Sequence, residues 1–210
     1  VAYRFDVSDV LRGGENYLKV VCHSISQYIN KKQAENKLFG AMDCLDGYPH
    51  VRKAHCMMGW DWSPRLPDAG IWRDIALYIL DSARITDFHI LQRHEKGRVY
   101  VTPLVETDLD APVIVEVSAP NGEIFTLLAN TESEIPDPKL WWPNGLGEHP
   151  LYTFRALLKK EGQVVDIQEK RIGLRTLKLI REKDVYGESF CHEVNGVRFF
   201  AMGADYIPED

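Results

Sequence analysis

The stretch Gly59-Trp60-Asp61-Trp62-Ser63-Pro64-Arg65-Leu66-Pro67-Asp68-Ala69-Gly70-Ile71-Trp72 sets three tryptophans around an aspartate, an arginine and two prolines. So much indole in so short a span serves either a crowded domain junction or a flat ligand with polar edges. Sugars are such ligands, because their C–H faces stack on aromatic rings while a carboxylate accepts from paired hydroxyls. Asp61 and Trp60 are therefore the candidate ligand-binding residues. Trp62 and Trp72 read as core or interface residues, and Arg65 as the anchor of the loop through a backbone or carboxylate partner.

Outward from this stretch the texture is that of strands. Ala2–Val7 alternates, Leu11–Glu15 carries a Gly-Gly turn, Tyr17–Val21 returns, and Val51–Met57 and Ile71–Leu80 flank the Trp-rich segment. Residues 24–38 are the best helix candidate: Ser24 or Ser26 supplies the cap, and Lys31, Lys32, Glu35 and Lys37 supply a solvated face. Near Asp81 the pattern changes. From Ala83 onward the spacing is that of a β-sandwich of immunoglobulin-like size, with strands around Val99–Val101, Val113–Val117, Glu123–Leu128, Leu151–Lys159 and Val164–Arg171. Pro120-Asn121-Gly122 and Glu161-Gly162 mark turns. In the tail, Phe190, His192 and Val194 alternate ahead of an Asn195-Gly196 hairpin turn, and Val197–Met202 leads out.

With 210 residues, 45% hydrophobic and 27% charged, the chain is globular in composition and long enough for one large or two ordinary domains. A net charge of −6 argues against nucleic acid or an anionic membrane as the main partner. No apolar run reaches membrane-spanning length. Cys22, Cys44, Cys56 and Cys191 permit two disulfides but demand none, and free, mostly buried thiols are expected. His50, His55 and Cys56 lack a second ligand pair at metal-like spacing, so neither metal nor other cofactor is expected. The chain has no Asn-x-Ser/Thr acceptor, which favours a bacterial cytoplasmic setting over a lysosomal or secreted one.

Three blocks together carry a family resemblance. Gly59-Trp60-Asp61-Trp62 with Pro64-Arg65 and Gly70-Ile71-Trp72-Arg73 resembles the N-terminal sugar-binding domain of the β-mannosidases of glycoside hydrolase family 2. Leu140-Trp141-Trp142-Pro143-Asn144-Gly145 looks like the signature of that family's immunoglobulin-like second domain. Asn195–Phe200 followed by Gly203-Ala204-Asp205-Tyr206-Ile207-Pro208 resembles the start of its catalytic (β/α)8 barrel. Two positions depart from the usual pattern: Ser63 stands where glycine is commoner, and Asp205 where asparagine is.

The resemblance implies an all-β chain. Residues 1–81 would be the late part of a jelly-roll, galactose-binding-like sandwich, 82–180 an immunoglobulin-like β-sandwich, and 181–210 a linker with the first strand of a truncated (β/α)8 barrel. It implies that Trp60 and Asp61 help bind a terminal mannose, and that Trp141 and Trp142 pack against a neighbouring domain. Retaining hydrolysis needs two carboxylates about 5 Å apart, and in this family both lie on later barrel strands. No residue here takes either role, so the chain by itself is expected to be inactive, a piece of a retaining exo-β-mannosidase that works without a cofactor. Its partners would then be a β-mannoside and the remaining barrel, with an oligomer possible. A β-galactosidase or β-glucuronidase parent, or a stand-alone two-module carbohydrate-binding protein, are the competing readings.

Overall fold

A computed structural model describes residues 3–79 and 83–206. The expected boundary at Asp81, and Ile207, Pro208, Glu209 and Asp210 of the last motif, lie outside the described residues. The chain divides into two compact units, one holding the residues up to Ala76 together with Asp205 and Tyr206, the other Leu77–Ala204.

The first unit centres on helix α1, Ile25–Glu35. Ser24 rather than Ser26 caps it, accepting from the Gln27 amide at 3.3 Å. Its inward face is thin: Ile29 and Gln33 are the buried residues. A buried amide side chain needs partners, and Gln33 finds four. Its Nε2 donates to Leu38 O and Asp46 Oδ1 at 2.8 Å each, and its Oε1 accepts from Leu38 N and contacts His50 Nε2 at 3.0 Å each. Gln33 thereby ties the helix to the long loop that follows. Gly47 (φ 80°) presses so closely on Ile29 O that a Cβ would lie 2.9 Å from it.

The strands expected at 2–7, 17–21, 51–57 and 71–80 are not formed among the described residues of this unit. Their apolar side chains are exposed, Tyr3, Phe5, Tyr17 and Leu18 among them. An extended segment becomes a strand only when a neighbour takes up its N–H and C=O groups, and these find none here. The Gly13-Gly14 turn does form, closed by Asn16, whose Oδ1 accepts from Arg12 N and whose Nδ2 donates to Arg12 O. His55–Met58 is a short 3-10 turn instead of a strand.

Among the described residues the second unit carries ten strands. They are β1 (Ile85–Glu95), β2 (Arg98–Thr107), β3 (Val113–Ser118), β4 (Ile124–Leu128), β5 (Ser133–Glu134), β6 (Tyr152–Lys160), β7 (Gln163–Ile172), β8 (Leu177–Ile180), β9 (Cys191–Val194) and β10 (Val197–Phe199). Sheets β1-β2-β5 and β4-β3-β6-β7 enclose one core, and β10-β9-β8 forms a separate three-stranded ribbon. Every pairing between these strands is antiparallel. Alternate residues point inward, as the period of two requires: Val99, Val101 and Val105 on β2 face Val115 and Val117 on β3 and Phe154, Ala156 and Leu158 on β6. The start of β1 is tied to β7 by side chains. Asp166 Oδ2 accepts from Ile85 N at 2.7 Å, and Gln168 Nε2 donates to Ile85 O at 2.8 Å. The all-β class is thus carried by this unit, an immunoglobulin-like sandwich.

The four cysteines are free, and only Cys44 is buried, against the expectation of mostly buried thiols. Cys22 is exposed because its segment has no sheet to join.

Candidate functional site

The Trp-rich loop is built on Gly59. This residue ends the 3-10 turn with φ 98° and ψ 159°, a conformation open essentially to glycine alone. An added Cβ would clash with Arg65 Cγ, well inside van der Waals contact distance, and lie 3.3 Å from Asp43 O. The chain then turns tightly: Trp60 N donates to Ser63 O at 3.2 Å and Ser63 N to Trp60 O at 3.3 Å. Asp61 and Trp62 are the two residues at the tip.

Backbone carbonyls anchor the base of the loop. Leu45 N donates to Met58 O at 2.8 Å, the Cys44 thiol to Gly59 O at 2.9 Å, and Arg65 Nε to Asp43 O at 3.2 Å. Met58 beneath is fully buried. Burial also pushes the Cys44 thiol above its ordinary pKa, so it stays protonated and able to donate. Arg65 is thus an anchor on a carbonyl rather than on a carboxylate. Ser63, the departure from the family pattern, uses its hydroxyl on Cys56 O at 3.4 Å.

What the loop presents outward is Asp61, with Trp60 and Trp62 exposed by 42% and 47% on either side. Among the described residues no hydrogen bond or ion pair engages the Asp61 carboxylate. A free carboxylate next in sequence to two half-exposed indoles is able to accept from two hydroxyls of one ring while an indole covers a C–H face. Trp72, expected in a core or interface, is 81% exposed, and the Arg73 guanidinium lies 4.2 Å from its ring centroid. It lies in 71–79, where no strand forms among the described residues and every residue is exposed.

The other tryptophan pair belongs to the sandwich unit. Trp141 and Trp142 are half-buried. Trp141 N donates to Leu174 O at 2.9 Å, and the Arg175 guanidinium sits 4.6 Å from the Trp141 ring centroid. Trp142 borders an open depression of about 690 Å³ with Lys139, Glu148 and His149. Gly147 lies against the Cβ–Cγ–Cδ1 edge of that indole, and Trp142 N donates to Glu148 O at 2.9 Å. The ring is therefore partly spent on the turn that holds it. Sequence reasoning did not single out Asp43, Cys44, Gln92, Arg175 or the side chain of Asn195. Each works through a partner distant in sequence, and nothing local marks it.

Among the described residues no cluster of three or more His, Cys, Asp or Glu is placed to hold a metal ion, and no helix is long and apolar enough to cross a membrane.

Comparison with known proteins decides the family. The Glycosyl hydrolase 2 galactose-binding domain-like family matches residues 1–73, and the Glycosyl hydrolases family 2 matches residues 83–175. The chain belongs to glycosyl hydrolase family 2. Among its family 2 relatives, β-mannosidase B of Aspergillus oryzae is 36% identical over 227 residues, a match covering 100% of this chain and 27% of that protein. β-Mannosidase B of Emericella nidulans is 36% identical over 174 residues, covering 76% of this chain and 20% of that protein. The crystal structure of a β-D-mannosidase from Dictyoglomus thermophilum superposes with a TM-score of 0.69 at 31% identity, over 88% of this chain and 24% of that one. The chain thus spans 20% to 27% of the length of these relatives. The galactose-binding-like match holds the Trp60–Asp61 loop, and the other holds the sandwich.

Proposed function

We propose that this family 2 chain is the non-catalytic part of a retaining exo-β-mannosidase, and that it supplies the loop that grips the terminal sugar. In that role Asp61 accepts hydrogen bonds from two hydroxyls of a non-reducing β-mannose and Trp60 walls or stacks on its ring. The observation that carries the reading is the reciprocal Trp60–Ser63 pairing, which holds an exposed Asp61, flanked in sequence by two half-exposed tryptophans, at a tip where no hydrogen bond or ion pair among the described residues engages its carboxylate. The similarity to proteins named β-mannosidase, over all of the chain or most of it, supports the choice of sugar. The acid/base and nucleophilic carboxylates that retaining hydrolysis requires would come from a catalytic module of the same protein, and the reaction itself asks for no cofactor. A cytoplasmic bacterial setting belongs to the same proposal, and fractionation of the source cells tests it.

The test is an assay of the complete open reading frame containing this segment on aryl β-glycosides, beside its Asp61→Ala variant. Cleavage of the β-mannoside, with kcat/KM falling about 10²-fold in the variant (about 2.7 kcal/mol of transition-state binding), is the expected result. Hydrolysis of a galactoside or glucuronide in its place retains the family and discards the sugar. Absence of any hydrolysis leaves a carbohydrate-binding module as the reading that survives.

A further inference from the structure

Asn195 opens the turn between β9 and β10 with φ 48°, followed by Gly196 with φ 82°. Both positions need the left-handed region, and Asn-Gly is the pair that meets that need most easily. The turn alone leaves the asparagine side chain free to face water. Here it does not. Oδ1 accepts from Thr176 N at 2.9 Å, Nδ2 donates to Trp141 O at 3.0 Å, and the Asn195 amide donates to Thr176 O at 3.2 Å.

These contacts converge on Gly173–Thr176, the segment by which the chain leaves the sandwich. Two further groups hold the same four residues. From β1, Gln92 Nε2 donates to Gly173 O at 3.2 Å while its Oε1 accepts from Arg175 N at 3.1 Å. From the Trp-Trp-Pro-Asn-Gly block, Trp141 N donates to Leu174 O, Leu140 bridges Leu174 in parallel, and the Trp141 side chain packs so tightly on Gly173 that a Cβ there would lie 2.6 Å away. Leu174 and Val194 are buried on either side of the joint. A mere linker would leave its peptide groups to water. This one has them taken up by β1, by the Trp141 segment and by the β9–β10 turn.

We propose that Asn195 is a positioning residue: together with Trp141 and Gln92 it locks the ribbon β8–β9–β10 at a fixed orientation on the sandwich. The two motif blocks at 140–145 and 195–196 are then one device. Whatever follows Phe199 starts from a set direction, and on the reading proposed above, on which the catalytic consequence rests, that is the reaction centre. Holding reacting groups in register is worth orders of magnitude in rate, so a rigid joint ahead of a catalytic module has a direct use.

Asn195→Gly separates the two duties of this residue. Glycine keeps the positive-φ turn and deletes only the side-chain clamp. Backbone amide residual dipolar couplings on the whole 210-residue chain report orientation without reference to activity. In the unaltered chain one alignment tensor is expected to fit β1–β7 and β8–β10 together. In Asn195→Gly the sandwich keeps its tensor, which shows that it is folded, while the ribbon couplings shrink by about half or more as the ribbon swings. Asn195→Asp, which keeps the acceptor for Thr176 N and loses the donor to Trp141 O, is expected to lie between. Ribbon couplings in Asn195→Gly that still fit the sandwich tensor overturn the proposal, and so does an unaltered chain that needs two tensors.

The catalytic arm uses the complete open reading frame. There Asn195→Gly is expected to lower kcat about tenfold with KM nearly unchanged and the unfolding midpoint retained. Full kcat with a loosened ribbon overturns the positioning role. An unaltered protein without glycosidase activity overturns the mannosidase reading instead, and the couplings then decide the joint by themselves.

Discussion

Replacing Gly59 by alanine tests whether the Trp60–Asp61 loop is held by its base. At φ 98° and ψ 159° a side chain costs about 1–3 kcal/mol in backbone strain. The new methyl also meets Arg65 Cγ, so Arg65 must shift, and its 3.2 Å hydrogen bond to Asp43 O goes with it for about another 1 kcal/mol. The loop base is therefore expected to lose about 2–4 kcal/mol against its opened state.

Cys44 reports that loss directly. Its thiol is 4% exposed, donates to Gly59 O, and is kept protonated by burial, so it reacts with an alkylating reagent only after the base opens. When opening and closing are fast relative to alkylation, the rate follows the opening equilibrium. A change of 2 kcal/mol then speeds Cys44 alkylation roughly thirtyfold, and more strain speeds it further. The exposed Cys22 reacts at once in both proteins and serves as the internal reference. Mass spectrometry of timed aliquots at pH 8 gives both rates from one sample. A Cys44 rate that rises less than about threefold would refute the argument that Gly59 and Arg65 fix this loop.

Two further outcomes follow from the sandwich. Tyr152 is 1% exposed and its hydroxyl accepts from Lys139 N at 2.9 Å, so Tyr152→Phe leaves a backbone donor unpaired and is expected to cost about 1–2 kcal/mol, read from the urea midpoint; no shift would mean that water replaces the hydroxyl. Burial holds His94 below its ordinary pKa, so below about pH 6.5 the unfolded chain binds a proton that the folded one resists. Stability is therefore lost as pH falls from about 6.5 through the lower folded value, and wild type should weaken relative to His94→Gln between pH 7 and pH 5. A difference between the two that does not change with pH would remove burial as the cause.

The sandwich was legible in the sequence wherever alternation was clean. β2, β3, β4 and β6 overlap the expected segments because each keeps one apolar face over its length, and β7 overlaps its segment although its covered mid-strand positions are the polar Asp166 and Gln168. The long β1 escaped notice. A bulge between Ile85 and Asp87 breaks its period at the start, and Gln92, Arg93, His94 and Glu95 make its far half polar. β5 and β8 are too short to leave a pattern. In the first unit the alternation was read, but a strand is a property of pairs, and among the described residues no pairing partner stands beside Tyr3–Val7 or Tyr17–Val21. For the candidate site the sequence pointed to Trp60 and Asp61 and to Arg65 as an anchor, but it marked the 47% exposed Trp62 at the tip as core or interface and did not point to the partner of Arg65. Asp43 offers a carbonyl, which every residue has, and only the fold brings it within reach.

The choice between a sugar and a protein neighbour for the loop turns on Asp61 rather than on the tryptophans. Half-exposed indoles suit either surface, because both offer apolar contact. A carboxylate is more selective. Pressed against an ordinary protein surface without a cationic partner it pays the desolvation of a full charge, several kcal/mol even after relaxation. A pyranose brings hydroxyl donors to the same oxygens and replaces the lost water. The base of this loop is tied through carbonyls, a thiol and Arg65, and none of these spends the Asp61 charge. Arg65 keeps its charge while its Nε donates to Asp43 O, and among the described residues no ion pair joins it to Asp61. That is the arrangement expected of a group kept for a ligand rich in hydroxyl donors. It also predicts an asymmetry between two variants at this position: Asp61→Asn, which keeps one acceptor oxygen but loses the charge, should retain more sugar binding than Asp61→Ala, whereas a loop that only needs filling would treat the two alike.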